Sequence, residues 1–270
     1  GFAGEDAPKY CLSSVRAPPP PRAAGARETR PGPANFHWPC EAAFQHTRRT
    51  IMTQLTAAQL AALIDHTLLK PEATTQDIDR LCAEALEHKF CTVCVHGSRV
   101  ARAYALVEET PVKVAAVVGF PHGAMDADAK RYETEVAVDH GAEEIDVVVN
   151  IGRLKEGDHR AVFRELRDVV EAADERAVKV ILETSLLTRE EILHGCKLSV
   201  DAGARFVKTS TGFGSAGATV ENVRLMREAV GPTFGVKASG GIRDLATALA
   251  MVEAGATRLG CSAGVQILKS

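Results

Sequence analysis

Two lysines stand where lysines are costly. Lys208 lies in Arg205-Phe-Val-Lys-Thr-Ser-Thr-Gly212 and Lys237 in Phe234-Gly-Val-Lys-Ala-Ser-Gly-Gly241, each flanked by apolar neighbours in a short run that reads as a strand. With the two-residue period of a strand, Phe206, Lys208 and Ser210 share one face, as do Gly235, Lys237 and Ser239. The small Gly235 signals crowding on that face. Desolvation and repulsion between two neighbouring ammonium groups both favour a neutral amine. A lysine whose pKa is lowered in this way attacks carbonyls to form a Schiff base. The plainer alternative is that each lysine answers a buried acid in the core. The placement of both at matching strand ends, beside Gly-rich loops, favours chemistry.

A carboxylate is at hand for proton transfer. Asp146 sits inside the apolar run Glu143-Glu-Ile-Asp-Val-Val-Val-Asn150, and parity puts Asp146, Val148 and Asn150 on one face. Outward under helices an ionised Asp would be ruinous, so an inward position with the lysines is expected. Asp65, just before the run His66 to Leu69, is a second candidate partner for them, or else a helix-end or loop residue. Three late segments can turn backbone N–H groups toward an anion: Thr211-Gly212 with Gly214, Ser239-Gly240-Gly241 followed by Arg243, and Gly260-Cys261-Ser262. Following helix N-termini would add their dipoles, and Arg243 a full charge. A phosphorylated substrate follows from them. Cys91-Thr-Val-Cys94 has CxxC spacing but falls within one strand, so a redox or metal role is not expected; Cys94 reads as core thiol or as a wall of the cavity. His96 and His122 read as loop residues, and Glu183 closes a strand at the level of the site, in either a site or a hydrogen-bonding role. No HExxH or similar pattern offers a metal site.

The elements that must hold these groups alternate. From Leu55 onward, β-branched runs (66–69, 91–95, 112–118, 144–149, 178–183, 205–208, 234–238 and 257–259) take turns with amphipathic stretches such as 75–88, 127–140, 160–173, 189–202, 219–229 and 243–254. An opening helix over 56–63 starts at a Thr cap, and Gly141, Gly203, Gly231 and Gly255 fall where helices should end. Eight βα units within residues 52–270 predict a (β/α)₈ barrel of the TIM type with a short N-terminal helix. A doubly wound open sheet is the alternative, but no GxGxxG follows the first strand and no Walker A motif is present. In a barrel of this type, the site lies at the C-terminal face and phosphate is commonly held after strands 7 and 8, where two of the anion loops fall.

Composition narrows the classes further. Thirty-two Lys and Arg against 35 Asp and Glu give a net charge of −3, with no reason to expect nucleic acid or an anionic membrane as partner. No apolar run is long enough to cross a membrane, and seven scattered Cys fit reduced thiols, so a cytoplasmic protein is expected. Residues 1–51 hold eight of the twelve Pro and no apolar period, and read as a disordered head ahead of a barrel domain over 52–270. Three origins suit the head: a processed targeting segment, an interaction tail, or translated sequence upstream of a start at Met52, which is favoured because periodic structure begins just after it.

Across about Leu55 to Ser262 the chain resembles the deoxyribose-phosphate aldolases. The resemblance is carried by Ile64-Asp-His-Thr-Leu-Leu-Lys-Pro-Glu-Ala73, Val117-Val-Gly-Phe-Pro-His-Gly123, Glu144-Ile-Asp-Val-Val-Val-Asn-Ile-Gly152, Phe206-Val-Lys-Thr-Ser-Thr-Gly-Phe-Gly214, Val236-Lys-Ala-Ser-Gly-Gly-Ile-Arg243 and Leu259-Gly-Cys-Ser262. It implies a class I aldolase without metal or other cofactor, a homodimer, and reversible cleavage of 2-deoxy-D-ribose 5-phosphate to acetaldehyde and D-glyceraldehyde 3-phosphate. Lys208 matches the family's Schiff-base lysine, Lys237 the lysine beside it, and Asp146 the aspartate that shuttles protons with a water. Relatives that extend further end in a tyrosine that assists proton transfer. No Tyr follows Tyr132 here, which would leave that step to Asp146, water and Lys237.

Overall fold

The computed structural model describes residues 55–270, and the head expected to be disordered lies outside the described residues. Eight parallel strands close on themselves in chain order: β1 (Ile64–Thr67), β2 (Thr92–His96), β3 (Lys113–Val118), β4 (Glu144–Val148), β5 (Ala177–Ile181), β6 (Phe206–Lys208), β7 (Gly235–Ser239) and β8 (Arg258–Cys261). Helix α1 (Ala57–Ala61) leads into β1. Helices α2 (Thr75–His88), α3 (Val100–Val107), α4 (Ala127–Asp139), α5 (Ile151–Lys155), α6 (His159–Ala172), α7 (Arg189–Asp201), α8 (Val220–Val230), α9 (Leu245–Glu253) and α10 (Gly264–Lys269) follow the strands, with α5 and α6 both after β4. This is the expected (β/α)₈ barrel.

Local chemistry starts and stops the helices. Thr74 and Thr188 close capping boxes with Asp77 and Glu191, and Asp126, Asp158, Thr219 and Asp244 each accept a first-turn amide. Each such cap contributes about 1 kcal/mol. Gly141, Gly203, Gly231 and Gly255 take positive φ at the helix ends, as expected. Helices α3 and α5 were not anticipated, being only eight and five residues long.

Alternation then sorts side chains to two environments. Outward residues such as Val93, Val95, Val114, Ile145, Val147, Val180 and Val207 pack under the helices in one continuous apolar layer. A smaller cluster, Leu69, Cys94, Ala115 and Val117 with Phe120 against it, lines the interior on the β2–β3 side. The β4 end is anchored through a buried ion pair: Lys130 on α4 donates to Glu165 on α6 (2.7 Å) and to the Val148 carbonyl (2.8 Å), while Glu165 also accepts from Asn150 N–H (3.1 Å).

One boundary matters for function. The first strand begins at Ile64 rather than at His66, so Asp65 is a strand residue with its side chain inside the barrel, paired in register with Thr92 on one side and Gly260 on the other. Cations from distant strands hold it there, a cause that the local sequence does not display.

The crowding signalled by Gly235 is real: it is paired with Phe206, and a Cβ at that position would fall 2.1 Å from the Phe206 ring. Gly235→Ala should therefore destabilise the barrel by about 1–3 kcal/mol, the range for overpacking a core. A lowered urea midpoint with an unchanged m-value would show it, whereas an unchanged midpoint would mean that the Phe206 ring is free to move.

Candidate active site

Register brings the charged strand residues to one level. Asp146 on β4 pairs with Lys179 on β5, and Lys208 on β6 pairs with Lys237 on β7, which in turn pairs with Arg258 on β8. The carboxylate of Asp146 receives all three ammonium groups: Lys179 Nζ at 2.6 Å from Oδ1, and Lys237 and Lys208 Nζ at 2.7 and 2.9 Å from Oδ2. Lys237 also reaches Asp65 Oδ2 at 2.5 Å, and Lys179 reaches Glu144 Oε2 at 2.6 Å. Arg258 joins Asp65 and Glu144 from below, at 2.7 and 2.9 Å, with its guanidinium 5.3 Å from the centre of the Phe206 ring. The expected trio of Lys208, Lys237 and Asp146 is therefore assembled, and Asp65 with it.

The network holds four basic side chains and three acidic ones, so one proton too many if every group is ionised. Burial opposes charge on all of them, and the local partners decide the outcome. For Asp146 the three lysines outweigh burial and hold its carboxyl well below the usual carboxylate range; Lys237, Lys179 and Arg258 do the same for Asp65. Lys237, held by Asp146 and Asp65, is pushed upward and stays an ammonium. Lys179 is also raised, because Asp146, Asp65 and Glu144 together outweigh burial and the repulsion of Lys237. Lys208 alone is lowered: burial favours its neutral form, Asp146 is its one carboxylate partner, and Lys237 repels it. The sequence suggests a downward push on both lysines. The structure separates them, because Lys237 has two carboxylates and Lys208 one.

Above Lys208 a cavity of about 250 Å³ opens at the C-terminal face. Gly212, Ser239, Gly240, Gly241, Arg243, Gly260 and Ser262, expected to bind substrate or phosphate, all line it with Lys208. Gly240 has φ +84°, and its backbone presses so close to Gly217 that a Cβ on Gly217 would meet the Gly240 carbonyl oxygen at 2.1 Å. Two hydrogen bonds bear on how this lining can act. Ser239 Oγ donates to the Ser210 carbonyl at 2.5 Å, so its hydroxyl proton is already committed. The α9 N-terminus is capped by its own Asp244, which accepts from Thr247 N–H at 2.8 Å and offsets part of that helix dipole. Cys94 stays a core thiol in the inner apolar cluster, its pKa raised by burial.

Glu183 takes the hydrogen-bonding role. In a left-handed conformation, φ +56°, its carboxylate accepts from Thr211 N–H (3.1 Å) and Thr211 Oγ1 (2.5 Å), fixing the loop that carries Gly212. A strained backbone held in place by its surroundings is common beside functional sites. Sequence reading missed Lys179, Glu144 and Arg258. The signal was available: Lys179 lies between Val178 and Val180 as Lys237 lies between Val236 and Ala238, and the parity used for Asp146 also turns Glu144 inward. Among the described residues, no three His, Cys, Asp or Glu side chains are grouped to hold a metal ion.

Residues 59–270 match the family model described as DeoC/LacD family aldolase. The chain is 57% identical over 210 residues to the deoxyribose-phosphate aldolase of Alkaliphilus oremlandii, covering 77% of this chain and 95% of that one. It is 53% identical over 211 residues to the deoxyribose-phosphate aldolase of Bdellovibrio bacteriovorus, covering 78% and 96%. Among solved structures it superimposes on the deoxyribose phosphate aldolase of Aeropyrum pernix, described as having a unique tetrameric structure, with a TM-score of 0.76 and 33% identity over 86% of this chain and 98% of the other.

The charge balance makes opposite predictions for two substitutions. Lys179→Met removes a cation that competes for Asp146 and should raise the Lys208 pKa, whereas Asp146→Asn removes its stabilising anion and should lower it further. Each costs stability, about 3–5 kcal/mol for breaking a buried pair. The pH of half-modification of Lys208 by an amine reagent, read by mass spectrometry on protein that remains folded, should move in these two directions. Movement of both in one direction would contradict the balance.

Proposed function

The chain belongs to the DeoC/LacD family of aldolases, and on that premise we propose that it is a deoxyribose-phosphate aldolase, cleaving 2-deoxy-D-ribose 5-phosphate reversibly to acetaldehyde and D-glyceraldehyde 3-phosphate. The observation that carries the reading is Lys208: the network amine biased toward neutrality lines a cavity bordered by glycine turns suited to phosphate.

The geometry supports a sequence of steps. Lys208 Nζ adds to the C1 aldehyde of the open sugar, and loss of water from the carbinolamine leaves a protonated imine. A base then takes the proton from the C3 hydroxyl, the C2–C3 bond breaks, and its electrons move into the imine to give an enamine on Lys208 and the aldehyde of glyceraldehyde 3-phosphate. Protonation at C2 and hydrolysis release acetaldehyde and restore the amine. Asp146, 2.9 Å from Lys208 Nζ and kept ionised by its neighbours, is the proposed proton relay through a water. Lys237 stays charged, disfavours a second charge on Lys208 and holds Asp146. Gly240, Gly241, Gly260 and Ser262 are proposed to hold the phosphate, with Arg243 adding charge.

The barrel from residue 52 is proposed to be the whole catalytic unit, which the family match over 59–270 supports. No described helix is long and apolar enough to cross a membrane. A cytoplasmic homodimer is the form proposed; the relative described as tetrameric supports self-association more generally.

Purified protein should release acetaldehyde from deoxyribose 5-phosphate, and borohydride added with substrate should leave a reduced adduct on Lys208. An adduct on Lys237 with Lys208 unmodified would refute the assignment. Because a protonated amine is no nucleophile, kcat/KM should fall as the pH drops through the Lys208 pKa, which lies below the ordinary 10.5. Asp146→Asn should cost on the order of 10² to 10⁴ in turnover. A folded variant retaining more than about a tenth of the rate would remove Asp146 from proton transfer. Deletion of residues 1–51 should leave kcat/KM unchanged, and loss of activity would show that the catalytic unit extends upstream.

A further inference from the structure

The Gly260–Ser262 segment is flanked by a cation on each side. Barrel order places β8 between β7 and β1, so Arg243, after β7, stands on one side, and Lys70, after β1, stands on the other. Both line the cavity that contains Lys208, and Lys70 also borders the two cavities beside it.

Lys70 has an unusual combination of a fixed backbone and an uncommitted side chain. Ala73 N–H donates to the Lys70 carbonyl (3.1 Å), closing a turn whose second residue, Pro71, has its φ set by the ring. His96 Nε2 donates to the Leu69 carbonyl (3.0 Å), and Arg99 donates to the Ala73 carbonyl (2.8 Å), so the turn is pinned on both flanks. The Lys70 ammonium makes no ion pair or hydrogen bond among the described residues. Asp77 feels its charge, but that carboxylate is already taken by Thr74 N–H and Oγ1 at 2.9 and 2.6 Å.

Residues 52–270 carry 25 basic and 31 acidic side chains, so a phosphate dianion entering this cavity needs local positive charge to overcome the general field. Glycine turns supply only partial charges from N–H groups. An uncommitted ammonium on a pinned backbone supplies a full one without displacing any existing pair.

We propose that Lys70 is a phosphate-binding residue, closing its ammonium onto the substrate phosphate and forming with Arg243 a two-cation clamp around the Gly260–Ser262 segment. The assignment rests on the reading of this cavity as the site of a phosphorylated sugar, and it adds a residue that determines preference for the phosphorylated form.

The test compares wild type, Lys70→Met and Lys70→Arg on deoxyribose 5-phosphate and on unphosphorylated deoxyribose, with inorganic phosphate as a competing ligand. Lys70 is exposed, so the variants should melt with wild type. Lys70→Met should raise KM for the phosphorylated sugar by about 10-fold or more, as expected for losing a charge-assisted contact, with kcat held. It should also weaken inhibition by inorganic phosphate, and leave kcat/KM for deoxyribose within about twofold of wild type, since that sugar has no phosphate for the lost contact to hold. Lys70→Arg should restore most of the loss. A discriminating wild type with an unchanged Lys70→Met, or equal losses on both sugars, would overturn this assignment and leave the cavity reading intact. A wild type indifferent to the phosphate would overturn both.

Discussion

One buried carboxylate, Asp146, is shared by three ammonium groups inside the barrel, and the rest of the site depends on that sharing. A lone buried aspartate would be pushed toward protonation, and a lone buried lysine toward loss of its proton. Held together, they keep each other charged up to the point where the acids run out. With Asp65 and Glu144 answering Lys237, Lys179 and Arg258, the network lacks one negative charge, and the deficit falls on the lysine with the fewest carboxylate partners. That lysine, Lys208, is also the one at the open end of the network, lining the cavity. The chemistry of a Schiff base asks for an amine that is neutral and reachable together.

The fold supplies what the network requires. Parallel strands in register put Asp146 beside Lys179 and Lys208 beside Lys237, and closure of the sheet brings β4 and β8 close enough for Glu144 and Arg258 to pair. Short contacts between charges repay their desolvation only when geometry is held firmly. Firmness comes from the apolar layer under the helices, from the Lys130–Glu165 anchor at the end of β4, and from the Phe206–Gly235 contact at the base. At the mouth, Glu183 serves the same end by fixing Thr211.

Much of this is legible in the sequence. The alternation of elements gave the barrel, and strand parity brought out Lys208, Lys237 and Asp146, because a charged residue within an apolar strand run is costly enough to stand out. Asp65 was ambiguous, since the cations that hold it come from β5, β7 and β8, far away in sequence. Lys179, Glu144 and Arg258 went unnoticed although they carry the same kind of signal; they lie at or near strand starts, where a charge reads as the edge of a run. The opposite pKa directions of the two lysines were not legible at all. They depend on which carboxylate oxygens lie within reach, a matter of ångströms that residue spacing does not encode. The glycine turns were correctly located, but the commitment of the Ser239 hydroxyl and the self-capping of α9 by Asp244 required the hydrogen bonds to be seen.

The central claim is that the shared carboxylate leaves Lys208, and not Lys237, as the readily deprotonated amine. The most direct measurement is a pH titration by NMR of the folded, unliganded protein with lysine side chains isotopically labelled at Cε, the resonances assigned through Lys208→Met and Lys237→Leu. Lys208 should titrate below the ordinary lysine value of 10.5, while Lys237 and Lys179 remain protonated beyond it. A Lys237 that loses its proton before Lys208 would contradict the account.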